Sequence, residues 1–228
     1  MRILLVGHGR MGRLVESLAP EYECDVADVL DSRSSIDAAG ADDHWGQVDV
    51  AIDFSSPSAV AVNVPALARR GIDLVVGTTG WQRDEASVRA AIEESGVGIV
   101  AAANFSTGVA IFEAAVAQAA TLFARQAEFG AWIHEAHHAA KKDAPSGTAL
   151  MLTRTIAQAG FTRPIDVSST RAGYIPGTHT VGFDGPAESI VLSHTARDRS
   201  TFARGALMAA RWVKGKRGWF RMKDVLGL

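Results

Sequence analysis

The sequence predicts an α/β protein: an N-terminal doubly wound parallel sheet, joined to a second α+β domain built on a mixed sheet. Three observations carry this. Up to Phe105, short apolar runs alternate with helical stretches, the rhythm of parallel strands with crossover helices. The first apolar run closes on Gly7-His-Gly9-Arg-Met-Gly12, the turn that opens a Rossmann-like sheet. After Phe105 the rhythm changes to one long helix and then runs separated by Gly and Pro, as in a mixed or antiparallel sheet.

Each element has its own justification. Ile3–Val6 is a buried strand, followed by the glycine turn and a helix through about Ala19. Asp25–Leu30 is a second apolar run, ending at Asp31, and Val48–Ile52 a third, closing on Asp53-Phe-Ser-Ser-Pro57. Pro57 suits a first helical position with Ser56 as cap, so a helix runs from there to about Arg70. Ile72–Val76 leads into Gly77-Thr-Thr-Gly80; a helix spans Asp84–Ser95; Val97–Ala102 is the fifth strand. Beyond Phe105, Val109–Arg125 has helical periodicity without a breaker, Trp132–His137 reads as a strand and Ser146–Gly160 as a helix. Asp166–Arg171, Thr178–Phe183 and Glu188–Thr195 read as strands, and Thr201–Val213 as the last helix. The expected domains are 1–105 plus 201–228, binding a dinucleotide, and 106–200, binding substrate and forming the oligomer.

Composition narrows the class. A formal net charge of −2 gives no reason to expect nucleic acid or an anionic membrane as partner, so an anionic ligand must be met by local cations. The single cysteine, Cys24, excludes an intrachain disulfide and suits a reducing cytoplasm. The N-terminal apolar run is too short for a secretion signal, and no run reaches the length of a membrane span.

In the glycine turn, Gly7 permits the bend, Gly9 lets backbone approach a pyrophosphate and Gly12 allows close helix packing. The helix that follows offers its free N–H groups to phosphates. His8, Arg10 and Met11 complete the candidate loop. Asp31, about twenty residues on, suits a ribose hydroxyl and favours NADH, while Arg10, Arg13 and Arg33 keep NADPH open. Gly77, Thr78, Thr79, Ala102, Ala103, Asn104 and Phe105 end later strands on the same edge, where open parallel sheets bind ligands.

Glu135-Ala-His-His-Ala-Ala-Lys-Lys-Asp-Ala-Pro-Ser-Gly-Thr148 concentrates ionisable side chains and a turn. Adjacent histidines in a strand point to opposite faces, so His137 and His138 make a poor metal chelate, and no metal is expected. Ser146 lacks the strand-to-helix elbow of a serine nucleophile. Lysine and histidine suit proton delivery to a carbanion-like centre, and the helix that starts at Ser146-Gly147-Thr148 suits a carboxylate.

This segment, Glu135–Ala149, resembles the signature of the dihydrodipicolinate reductase family. The likeness extends to Gly-Arg-Met-Gly12, Asp53-Phe-Ser, Gly77–Gly80, Ala103-Asn-Phe105 and Thr201-Phe-Ala-Arg-Gly205. The resemblance implies NADH- or NADPH-dependent reduction of a cyclic dicarboxylate, 4-hydroxy-tetrahydrodipicolinate, with loss of water, on the diaminopimelate route to lysine. It puts the proton-donating pair at His137 and Lys141, and substrate contacts at His138, Gly147, Thr148 and Arg199. It puts cofactor contacts on Gly7–Gly12, Asp31, Gly77–Thr79 and Ala102–Phe105, and implies a homotetramer joined through the C-terminal sheets. Three rivals stand at this point. Another Rossmann amino- or imino-acid reductase shares the glycine loop but not His-His-x-x-Lys with Ser-Gly-Thr. A non-catalytic dinucleotide sensor has no use for clustered proton donors. A metal hydrolase would use the histidine pair.

Overall fold

The structure is a computed structural model that describes residues 1–31, 33, 34, 36, 45 and 47–228. The chain forms two compact units, 1–107 with 200–228, and 108–199.

The first unit is a six-stranded parallel sheet. Its strands are β1 (Arg2–Val6), β2 (Asp25–Leu30), β3 (Val50–Asp53), β4 (Asp73–Val76), β5 (Gly98–Ala101) and β10 (Gly218–Phe220). They lie in the order β10-β5-β4-β3-β1-β2. The central strands are buried along their length, which is why they read as continuous apolar runs. Leu4, Val6, Ala51, Leu74, Val76 and Ile99 pack against Val60, Val64 and Leu67 of α2 (Pro57–Ala68) and Val88 and Ile92 of α3 (Glu85–Ser95). Helix α6 (Ser200–Val213) returns to this unit and packs on β3, β4 and β5 and beside α1 (Arg10–Leu18). A short helix, α7 (Met222–Leu226), follows β10.

Strand register decides where the loops emerge. Val6 pairs with Leu30 and Asp53, Asp53 with Val76, and Val76 with Ala101. The strands therefore end level, and the turns beginning at Gly7, Asp31, Phe54, Gly77 and Ala102 share one edge.

One expectation is corrected and two elements are added. Ser56 does occupy the N-cap backbone position of α2, but its hydroxyl sits against that of Ser58 instead of capping a helix amide. The three-residue strand β10 and helix α7 have no counterpart in the sequence reading. They are fixed by tertiary contacts: β10 pairs with β5, and Trp219 lies against Trp81 and beneath the Arg89 guanidinium.

The second unit has a four-stranded sheet, β7 (Ile165–Arg171), β6 (Gly130–His137), β8 (Thr178–Asp184) and β9 (Ser189–Thr195), in that order. β6 runs parallel to β7; the other pairings are antiparallel, so the sheet is mixed. Phe112, Val116 and Ala120 of α4 (Thr107–Phe123) and Ala149, Leu152 and Ile156 of α5 (Gly147–Gln158) cover Ile133, Val181 and Phe183 on one face. Among the described residues no helix is long and apolar enough to cross a membrane.

Candidate active site

In the first unit the glycine turn is shaped by close approach. Gly7 has φ +95°, and a Cβ on it would stand 2.4 Å from the Phe54 carbonyl oxygen; one on Gly12 would stand 2.0 Å from that of Gly7. Gly9 differs. Among the described residues nothing lies within 4 Å of where its Cβ would be, so space is open beside the backbone. Gly9 is also the N-cap of α1, whose first turn carries no acidic residue. The free N–H groups and the positive end of the helix dipole are thus left to an incoming anion. Arg10 is exposed and Met11 half-buried. The His8 ring pairs with Glu16 at 2.8 Å, which leaves its backbone as the part facing the turn.

Asp31 receives the backbone N–H of Arg33 at 2.8 Å and its guanidinium at 2.7 Å. These hydrogen bonds hold the Asp31 carboxyl down at about 2. Both side chains stay accessible, so this corner presents an acceptor and a cation together.

Thr78 turns inward. Its hydroxyl donates to Asp53 Oδ1 at 2.6 Å and accepts from Ser55 N–H at 2.8 Å. Burial raises the Asp53 carboxyl against these hydrogen bonds. The result is a brace between the loops after β3 and β4. Thr79 is exposed. Gly77 takes no side chain without striking the Phe54 ring. Asn104 is spent on its own turn, accepting from Ser106 N–H, while Phe105 is buried edge-on to Phe54. Thr78, Ala102 and Ala103 border a hollow also lined by Trp81, Gln82 and Arg221.

In the second unit, strand alternation builds the cluster. Residues two apart on a strand face the same way, so Ile133, Glu135 and His137 follow one another along β6. Pairing sets Glu135 opposite Ser169 and His179, and His137 opposite Arg171. The apolar row therefore turns polar at its end. Glu135 is fully buried, and its donors include both Arg171 terminal nitrogens at 2.9 and 2.6 Å, Ser146 N–H at 3.2 Å, and a short contact from His137 Nδ1. Burial alone would raise this carboxyl, but the hydrogen bonds from Arg171, Ser169 and His137 outweigh it and hold Glu135 at about 2. Burial depresses His137 below the usual histidine value, with Glu135 pulling the other way and Lys141 and Arg171 adding to the depression. His137 is thus neutral at pH 7, and an ionised Glu135 has only lone pairs to offer. The proton of that contact belongs to His137 Nδ1, leaving Nε2 bare.

Arg171 also donates to the Asp143 carbonyl at 2.6 Å, and the Asp143 carboxylate holds Lys141 Nζ at 2.7 and 2.8 Å. Ser146 is the N-cap of α5: its hydroxyl accepts from Ala149 N–H and shares a hydrogen bond with His179 Nε2 at 2.9 Å. His179 is buried, and burial pushes it down to about 4. Gly147 and Thr148 open the helix with exposed and half-buried positions.

The structure brings His137, Lys141 and the Gly147-Thr148 helix start into one hydrogen-bonded system. The half-buried His138 lies just past the end of β6, where its carbonyl accepts the Lys141 backbone N–H at 3.1 Å, and exposed Arg199 sits in the connection after β9; among the described residues neither side chain joins the network. Three members carry no role in the sequence analysis: Glu135, Arg171 and His179; Ser146 is read there as the start of the anion-binding turn, without its bonds to Glu135 and His179. Glu135 had a readable signal, its two-residue spacing from His137 on a predicted strand. Arg171 and His179 arrive only through strand pairing. Donor atoms of Glu135, His137 and His179 lie within 4.8 Å of one another. A metal there would have to displace Arg171 from a carboxylate whose lone pairs are already taken, so the arrangement fits proton handling and not metal chemistry.

Comparison with known proteins follows the same lines. The profile described as dihydrodipicolinate reductase, N-terminus, matches residues 1–105, and its C-terminus counterpart matches 108–226. The chain is 35% identical to a 4-hydroxy-tetrahydrodipicolinate reductase of Christiangramia forsetii, over 99% of this chain and 98% of that one. It is 37% identical to one of Rhodopseudomonas palustris, over 100% and 98%. A dipicolinate-bound dihydrodipicolinate reductase from Paenisporosarcina sp. TG-14 has the same fold, with TM-score 0.83 and 20% identity over 98% of each chain.

Proposed function

The chain belongs to the dihydrodipicolinate reductase family, and from that premise we propose how its own residues carry out the reaction. The protein is an NAD(P)H-dependent oxidoreductase. It reduces 4-hydroxy-tetrahydrodipicolinate to tetrahydrodipicolinate with loss of water, in the diaminopimelate route to lysine. The observation that carries the residue assignment is the single network joining His137, Lys141 and the first turn of α5.

The first unit binds the cofactor. The open space at Gly9 and the unopposed start of α1 fit a pyrophosphate, and Gly77, Thr79 and Ala102–Asn104 offer backbone to the nicotinamide. When bound, the nicotinamide supplies the hydride. Asp31 and Arg33 divide the cofactor choice: the carboxylate accepts from a ribose hydroxyl, and the guanidinium meets a 2′-phosphate. This protein therefore uses both NADH and NADPH.

The second unit binds the dicarboxylate. The N–H groups of Gly147 and Thr148 take one carboxylate at the start of α5, with His138 and Arg199 as further contacts. Lys141, a donor with three N–H groups, gives the proton that balances the hydride. Neutral His137 offers Nε2 as an acceptor. A side chain at position 177 would reach within 3.0 Å of that nitrogen, so Gly177 keeps it clear. A homotetramer forms through the outer face of the sheet, where exposed Val191 lies in register with Trp132 across Gly182. The proposed compartment is the cytoplasm, where the buried thiol of Cys24 stays reduced.

The test is the loss of reduced-cofactor absorbance with freshly generated substrate, using NADH and NADPH in turn. Comparable kcat/KM for the two is expected. Arg33→Ala should lower kcat/KM for NADPH roughly tenfold, the value of about 1.4 kcal/mol for a lost charged contact, and spare NADH. Absence of turnover with either cofactor would refute the functional reading.

A further inference from the structure

We infer that Glu135, clamped by Arg171, is a positioning residue for the reduction: it fixes the tautomer and direction of His137 and sets the start of α5 relative to it. This rests on the proposed roles of His137 and the α5 N-terminus and deepens them.

The geometry makes Glu135 a junction. One oxygen meets His137 Nδ1 and one Arg171 nitrogen; the other meets the second Arg171 nitrogen and the Ser146 amide. Ser146 immediately precedes the Gly147 and Thr148 amides that would grip a carboxylate. A single buried carboxylate therefore holds both the imidazole and the anion-binding turn. A fully buried charge is tolerated only when paired and fully hydrogen-bonded, and the guanidinium fork supplies that pairing in bidentate form. Arg171 then carries the arrangement outward through the Asp143 carbonyl to the loop bearing Lys141.

The charged and titratable groups around His137 are Glu135 on its own strand, Arg171 on β7, His179 on β8, and Lys141 with Asp143 on the following loop. Of these, Glu135 raises the His137 pKa, while Lys141 and Arg171 lower it. Loss of the Glu135 charge must shift protonation of His137 to lower pH.

The first measurement uses the unaltered protein. Nitrogen-15 NMR of the histidine rings at pH 7.5 should find His137 neutral with the proton on Nδ1. A proton on Nε2 would overturn the inference. The second compares Glu135→Gln with wild type across pH. The expected result is a kcat lower by roughly 100-fold, the scale of losing an oriented acid–base partner, with a smaller change in KM, and an acid limb of the kcat profile displaced to lower pH. Glu135→Asp, which keeps the charge, should restore part of kcat and return the limb toward wild type. An unmoved limb in a folded Glu135→Gln protein would also overturn it. If Glu135→Gln does not fold, the NMR tautomer decides alone. A wild-type protein that shows the Nδ1–H tautomer but turns over neither cofactor refutes the functional proposal and leaves the positioning geometry standing.

Discussion

Lys141 and His137 are paired by sequence, and their surroundings separate them. His137 is depressed by burial and donates its Nδ1 proton to a carboxylate, so it has none to spare. Lys141 stands at the half-exposed end of the network, tethered by Asp143. Lys141→Ala should therefore lower kcat by roughly 100-fold or more, measured at saturating substrate with the cofactor of choice. Unchanged turnover would remove Lys141 from proton delivery. The residue types of this pair were legible from the sequence, and so was their proximity, because both lie within one short segment. What surrounds His137 was not legible. Arg171 and His179 are 34 and 42 positions from His137 and meet it only because β7 and β8 flank β6.

At the scale of elements, Ser146 shows how a cap becomes part of a site. Its hydroxyl satisfies the Ala149 amide and bonds His179. Ser146→Ala should cost about 1 kcal/mol in chemical denaturation through the lost cap, and should raise KM for the dicarboxylate more than it lowers kcat. Helix α6 offers a packing test. A Cβ at Gly205 would stand 1.7 Å from the Phe105 carbonyl oxygen, an approach that backbone must move to relieve. Gly205→Ala should destabilise the protein by about 1–3 kcal/mol, read as a lower denaturation midpoint at unchanged slope. The element order was legible because β1 and β3–β5 are buried runs punctuated by glycine or aspartate. Strand β10 was not, since Gly218–Phe220 sits among Lys214, Lys216, Arg217 and Arg221. There, charge density hides a strand that is ordered by β5 and by stacking on Trp219.

For the whole molecule the informative variable is pH. His179 is held at about 4, below the usual histidine value of about 6.5, because burial favours its neutral form. Its contribution to stability is complete above pH 6.5 and is lost as pH falls through about 4, since the unfolded chain takes up that proton first. Glu135, held at about 2, adds a second window between roughly pH 4.5 and 2 with the same sign. Burial raises Asp53 and gives it the opposite sign, so a comparison of variants reads the effect more cleanly than one curve. His179→Gln should flatten the fall of Tm between pH 6.5 and 4 relative to wild type. Equal slopes in the two proteins would show that His179 carries no such linkage.

The level strand ends of the first unit bear on how this sheet can change length. Val6, Leu30, Asp53, Val76 and Ala101 finish side by side, and one added residue within a strand would push its loop about 3.3 Å out of line. Additions and deletions are better absorbed on the opposite side, at turns such as Arg70-Gly71 and Ser95-Gly96, where they lengthen a helix-to-strand link without disturbing the aligned rim. A designer wishing to graft a tag or a tether into this half of the protein should start there.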